Sequence, residues 1–207
     1  PSDFRLEGRV ESLAPLATYT EETLGLERGV LTLAVRADAG GPFRITGAAE
    51  ARQLVVGETA VTGLDAVLNA TWDRARADSL GLEALSGRLR TSFAVLSTPS
   101  VRVEEGEVTV AADSGAFTVE GSVVVDQTRD LDFFARLEAD TDPPTVLLER
   151  GRFSIEGDTW TLRQPARLTR STDGVEIRGL LLTSDAGGQQ IAADGQISFS
   201  GEQNLIV

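Results

Sequence analysis

Leu31-Thr32-Leu33-Ala34-Val35-Arg36-Ala37, followed by Asp38-Ala39-Gly40-Gly41 and then Pro42-Phe43-Arg44-Ile45-Thr46-Gly47, is the stretch that decides the fold. Before and after the turn, apolar side chains alternate with small or polar ones. Strict alternation places apolar groups on one face of a strand and wet groups on the other. Between the two runs, Asp can hydrogen-bond its own turn backbone and Gly supplies positive φ. The stretch reads as a β-hairpin.

The same pattern recurs on both sides of it. Gly115-Ala116-Phe117-Thr118-Val119-Glu120-Gly121 and Gly151-Arg152-Phe153-Ser154-Ile155-Glu156-Gly157 repeat Gly41 to Gly47. Phe4-Arg5-Leu6-Glu7-Gly8 and Val175-Glu176-Ile177-Arg178-Gly179 are shorter echoes. Val108-Thr109-Val110-Ala111-Ala112 alternates upstream of Asp113-Ser114-Gly115, and Asp185-Ala186-Gly187-Gly188 precedes Ile191, Ala193, Gly195 and Ile197. The copies are irregularly spaced, which argues against a fixed-period solenoid and for a meander of similar hairpins. Within a copy, Phe and Ile or Val point to one face. The closing Gly lies on that face too, where it permits a bulge, a sharp twist or close approach of another backbone.

The expected fold is therefore all-β: an elongated, mainly antiparallel sheet of about 12–14 strands, curled into a trough or an open-sided sandwich. Residues 1–207 read as a single elongated β-repeat region, with a sub-boundary and one short helix expected near 73–85. The segment from Leu64 to Ala75 satisfies both the helical and the strand period, and its alternation at Leu64, Ala66, Leu68, Ala70 and Trp72 favours strand. Leu13 to Leu26, with Pro15 and a polar run from Thr18, reads as an irregular crossing segment.

Composition removes many chemistries. The chain has no Cys, His or Met, and all 19 basic residues are Arg. It can form no disulfide, no thiolate nucleophile, no Cys or His metal site, no Ser-His-Asp arrangement and no lysine Schiff base. The reading is of a protein that is not an enzyme and takes no cofactor. The 32 acidic residues give a formal net charge of −13, which opposes nucleic-acid binding. No apolar run has the length of a membrane-spanning helix. Pro1 and the absence of Met mark the sequence as a processed chain or a fragment of a longer protein.

An apolar sheet face must be covered. A second sheet covers it in a sandwich; in an open trough, acyl chains can take that place. The residues on the apolar register, and so the candidates for lining a lipid groove, are Phe4, Leu6, Leu31, Leu33, Val35, Phe43, Ile45, Phe117, Val119, Phe153, Ile155, Val175, Ile177, Ile191 and Ile197. Each also suits an ordinary core.

Leu180-Leu181-Leu182-Thr183-Ser184-Asp185-Ala186-Gly187-Gly188, with Ile191 and Gly195-Gln196-Ile197-Ser198-Phe199-Ser200-Gly201, resembles the β-rich repetitive region of the AsmA-like and TamB group of bacterial envelope proteins. Leu33 to Gly47 and Val61-Thr62-Gly63-Leu64-Asp65-Ala66 carry the same resemblance. It runs over most of the chain, most clearly from about 145 to 207, and includes no catalytic signature. The resemblance implies a trough with an apolar concave face. It further implies a periplasmic position in the cell envelope, tethered to the membrane through parts outside this chain. Its implied work is phospholipid movement between inner and outer membranes and support of outer-membrane protein assembly. The implied partners are phospholipid acyl chains, neighbouring β-segments of the same protein and an outer-membrane β-barrel.

Smaller signals weigh less. Asp130-x-Asp132 and Asp140-x-Asp142 offer oxygen ligands, but no surrounding loop completes a calcium site. The first pair falls on the wet face of a strand carrying Leu131, Phe133, Ala135 and Leu137, and the second precedes Pro143-Pro144 as a turn. Glu104-Glu105 is one of many acidic pairs that could be read as a glycosidase dyad. Trp72 and Trp160 are too few for a sugar platform. The competing expectation is an extracellular structural or adhesive β-sandwich with a filled core and no groove.

Overall fold

A computed structural model describes residues 4–11, 24–37, 41–73, 84–99, 102–138, 143–155, 157–170, 174–198 and 204–206. These residues form 16 β-strands and no α-helix, so the chain is all-β. All of the pairings described below are antiparallel. The chain divides into two compact units, Pro1–Gly115 with Val123–Val125, and Ala116–Ser122 with Asp126–Val207.

The first unit is a meander. β1 (Phe4–Val10) pairs with β2 (Leu24–Ala37), β2 with β3 (Phe43–Val56), and β3 with β4 (Thr59–Trp72). β4 then pairs with both β5 (Leu85–Phe93) and β6 (Val95–Ser97), which are one strand interrupted at Ala94. β7 (Arg102–Val103) and β8 (Glu105–Asp113) pair with β6 and β5 in the same divided way. These interruptions account for more strands than the alternation predicts. The segment from Leu64, which fits both periods, is strand up to Trp72. At the C-terminal end of the expected irregular segment, Leu24 to Leu26 is a correction: these residues open β2, where they pair with Val56 to Leu54. Residues 12–23, Asp140 and Asp142, and most of the expected helix near 73–85 lie outside the described residues.

One line of irregularity crosses this unit. Arg28 and Gly63 have φ of 47° and 63°. They lie two strands apart, with Arg52 between them in the register, and Ala94 follows on the next strand, its amide donating to the Thr62 carbonyl at 2.9 Å. At this line the apolar alternation slips by one residue in each strand. On one side the apolar set includes Leu31, Ala49, Ala66 and Val108; on the other it is Leu26, Leu54, Val61, Leu96 and Val103, again in direct cross-strand register. A slip in one strand alone would turn its side chains to the wrong face. Taken at the same level in every strand, it leaves the pairing intact.

The second unit includes most of β9 (Ala116–Asp126) and all of β10 (Arg129–Glu138), β11 (Thr145–Ile155), β12 (Asp158–Leu162), β13 (Ala166–Arg170), β14 (Gly174–Ser184), β15 (Gln190–Ser198) and β16 (Asn204–Ile206). From β10 to β16 it is again a meander, with β12 and β13 together filling one position between β11 and β14. Pro165 sits in the gap between them, where its missing N–H removes a ladder bond. Opposite that gap β14 bulges at Gly179, whose φ is 71°. The Gly179 amide donates to Asp194 Oδ1 at 2.7 Å, and its carbonyl accepts from Gln164 Nε2 at 3.2 Å. Side chains thus satisfy both backbone groups that the bulge takes out of the ladder.

Candidate functional site

The register of the first unit sorts its residues into two faces. Leu6–Val35–Ile45–Ala70–Gly87–Ala112 forms one transverse row across β1 to β5 and β8. The next rows on that face are Gly8–Leu33–Gly47–Leu68–Leu89–Val110 and Val10–Leu31–Ala49–Ala66–Thr91–Val108. Thr91 is the only residue with a polar side chain among them. The opposite face reads Arg5–Arg36–Arg44–Thr71–Ser86–Asp113 and Arg9–Thr32–Ala48–Val67–Arg90–Thr109.

The apolar rows stay partly open to solvent. Leu6 is 56% exposed, Leu33 47% and Leu89 37%. Among the described residues the buried hydrophobic side chains are Ala51, Ala84, Val103, Ala135, Ala166, Ile177 and Ala193, and no large side chain is fully buried. A filled core between two sheets would bury Leu, Ile and Phe to near zero. Here burial is largely confined to alanine.

Glycines recess the face. A Cβ at Gly87 would lie 2.5 Å from Ala70 Cα and from the Asn69 carbonyl oxygen, and one at Gly47 would lie 3.2 Å from the Thr32 carbonyl oxygen. The neighbouring backbones close in where a side chain would otherwise stand. Two hollows of about 580 Å³ and 380 Å³ in this unit are lined mainly by residues of the opposite face, among them Glu7, Arg9, Thr32, Thr46, Asn69 and Thr71, so they mark no groove on the apolar face. The closing glycines of the sequence repeat therefore differ in task. Gly47 gives close approach, Gly179 a bulge and Gly157 a turn with φ of 86°.

In the second unit, Leu131–Phe153–Trp160–Ser184, Leu162–Leu182–Ile191 and Leu137–Val146–Leu168–Ile177–Gly195 are in cross-strand register. The bulge at Gly179 shifts the alternation, so that Ile177 and Leu180 carry the apolar set on either side of it. The other face carries the ion pairs Arg136–Glu149, Arg167–Glu138 and Arg178–Glu176.

The predicted lining residues fall into these sets. Leu6, Leu31, Leu33, Val35, Phe43 and Ile45 share the apolar face of the first unit, and Phe4 pairs with Ala37 at its end. Phe153, Val175, Ile177, Ile191 and Ile197 belong to the second unit's apolar register, while Ile155 stands at its edge between Arg129 and Asp158. Phe117 and Val119 are half-buried in β9. Leu68, Leu89, Val110 and Trp72 also face the first unit's apolar side. Their alternation within β4, β5 and β8 was the available signal, obscured in β4 by its helical spacing.

The ion pairs Arg5–Glu7, Arg36–Glu7 and Arg90–Glu107 of the first unit lie on its wet side. Hydrogen bonds from Arg5 and then Arg36 hold the Glu7 carboxyl below the usual range. At the β9–β10 turn, Arg129, then Thr128, hold Asp126 far below it. Asp130 and Asp132 lie on β10, and no group of three or more metal-ligating side chains occurs among the described residues.

Comparison with known proteins gives no match to a family model, a curated protein or a solved structure.

Proposed function

We propose that this chain is a segment of a cell-envelope protein whose apolar β-face conducts phospholipid acyl chains between inner and outer membranes and supports outer-membrane protein assembly. The observation that carries this reading is the partly open apolar face, with Leu6, Leu33 and Leu89 each more than a third exposed, against an opposite face that is mainly Arg, Glu, Thr and Ser but includes Ala48 and the exposed Val67. Exposed contiguous apolar surface of this kind marks an interaction site. A linear acyl chain gains about 0.8 kcal/mol for each methylene it buries there. Such a path needs no reacting group and no cofactor, which suits a chain without His, Lys or Cys. A closed adhesive sandwich calls for a filled core, and the near restriction of burial to alanine favours the open face.

In this reading the protein works in the periplasm, tethered through parts outside this chain. Its partners are phospholipid acyl chains, neighbouring β-segments of the same protein and an outer-membrane β-barrel. Purified protein extracted with organic solvent should release phospholipid in stoichiometric amount. Extracts with no more lipid than those of a closed β-sandwich of equal size would count against the proposal.

A further inference from the structure

β1 is an edge. It pairs with β2 on one side, and among the described residues no strand pairs with its other side. Monomeric proteins blunt such edges with Pro, bulges or charges pointing inward. β1 has none of these. Leu6, Gly8 and Val10 continue the apolar face, and Arg5, Glu7 and Arg9 stand on the wet face with Glu11 just beyond the strand. Every one of these residues is exposed.

The charges on this edge alternate in sign at every second residue. We propose that β1 is a self-association edge, at which two copies of the chain pair antiparallel about Gly8. In that register Arg5 stands opposite Glu11 of the second copy, Glu7 opposite Arg9, Leu6 opposite Val10, and Gly8 opposite Gly8. A slip of two residues in one direction sets Glu7 against Glu7 and Arg5 against Arg9. The slip in the other direction sets Arg9 against Arg9 and Glu7 against Glu11. Like charges directly opposite destabilise a sheet pair. A slip of one residue turns one copy's charges onto the other's apolar face. The present ion pairs, Arg5–Glu7 at 2.5 Å and Arg9–Glu11 at 2.9 Å, run along the strand. Arg36 of β2 also reaches Glu7 at 3.2 Å, and a second copy would bring its Arg9 to the same carboxylate from the free side of β1. Exposed ion pairs contribute little affinity. Here they select register and partner, while backbone hydrogen bonds and the Leu6–Val10 contacts hold the copies together. The edge supports this pairing whatever the apolar face carries.

The chain contains no cysteine, so single cysteines report the register directly. A Cβ added at Gly8 meets nothing within 4 Å. Gly8→Cys should form a disulfide-linked dimer under mild oxidation, because residues directly opposite fall within disulfide reach. Arg5→Cys alone should not, but should crosslink when mixed with Glu11→Cys. Glu7→Arg and Arg9→Glu should each shift the protein from dimer to monomer in sedimentation equilibrium, and an equimolar mixture of the two should restore the dimer. A wild-type chain that stays monomeric up to its solubility limit overturns the proposal. So does Gly8→Cys that crosslinks no faster than Arg5→Cys.

Discussion

Phe43 and Trp72 face each other across β3 and β4, with ring centroids 5.5 Å apart and planes tilted by 36°. Phe153 and Trp160 are the corresponding cross-strand pair of β11 and β12. Both tryptophans of the chain thus stand beside the phenylalanine of a Gly-x-Phe repeat, on the apolar side of their strands. A ring pair such as Phe43–Trp72 contributes about 0.5–1.5 kcal/mol beyond the area it buries. The tryptophans also place an intrinsic fluorophore on each apolar face. Phospholipid with brominated acyl chains should quench tryptophan emission, and each single-tryptophan variant, Trp72→Phe or Trp160→Phe, should retain quenching. Headgroup-labelled lipid of the same composition should quench less.

A partly open face has a stability signature. Leu→Ala in a closed core costs about 2–5 kcal/mol. Leu33 stands nearly half exposed, so Leu33→Ala should cost roughly 1 kcal/mol or less in urea denaturation. The same substitution should reduce binding of an apolar dye. A loss in the core range would mean that Leu33 is covered.

Two glycines should fail for different reasons. Gly179 has room for a Cβ, whose nearest neighbour would be Gln164 Nε2 at 3.7 Å, but its φ of 71° is left-handed. Gly179→Ala should therefore cost about 1–2 kcal/mol from backbone conformation alone. Gly87→Ala meets backbone atoms at 2.5 Å and must push β4 and β5 apart. Its cost should reach about 3 kcal/mol or more. Equal losses at both positions in denaturant titrations would contradict this separation of causes.

The Glu7 carboxyl makes the pH prediction. Its folded-state pKa is lowered, chiefly by the Arg5 hydrogen bond and next by that of Arg36. Its contribution to stability is fully present above the unfolded-state pKa and is lost as pH falls through the lowered folded value. Carboxyl NMR should show Glu7 titrating below the usual carboxylate range, and Arg36→Gln should move it upward. A Glu7 titration indifferent to Arg36→Gln would show that the pairing is not maintained in solution.

The hairpin grammar was readable because alternation, turn residues and the Gly-x-Phe repeat all agree. Leu31 to Ala37 and Phe43 to Gly47 are paired strands, and their apolar residues share one face. The full length of the strands was not readable. β2, β3 and β4 each run 14 residues, about twice the alternating core at Leu31–Ala37. At Arg28, Arg52 and Gly63 the alternation changes phase, which in a single strand signals an end. Only the register shows that neighbouring strands change phase at the same level, so that pairing continues. The closing glycines were visible, but not their separate tasks, since close approach at Gly47 depends on the strand opposite. Burial was the deepest gap: alternation assigns Leu33 to the apolar face, but not whether anything covers that face.

Photo-crosslinking tests that last point most directly. Photo-reactive residues at Phe43 and Phe153 lie on the apolar side of their strands, and Arg44 and Ser154 lie next to them on the wet side. In cells, Phe43 and Phe153 should capture phospholipid while Arg44 and Ser154 do not. Crosslinking to lipid at none of the four positions, or equally at all of them, would contradict an apolar β-face that carries acyl chains.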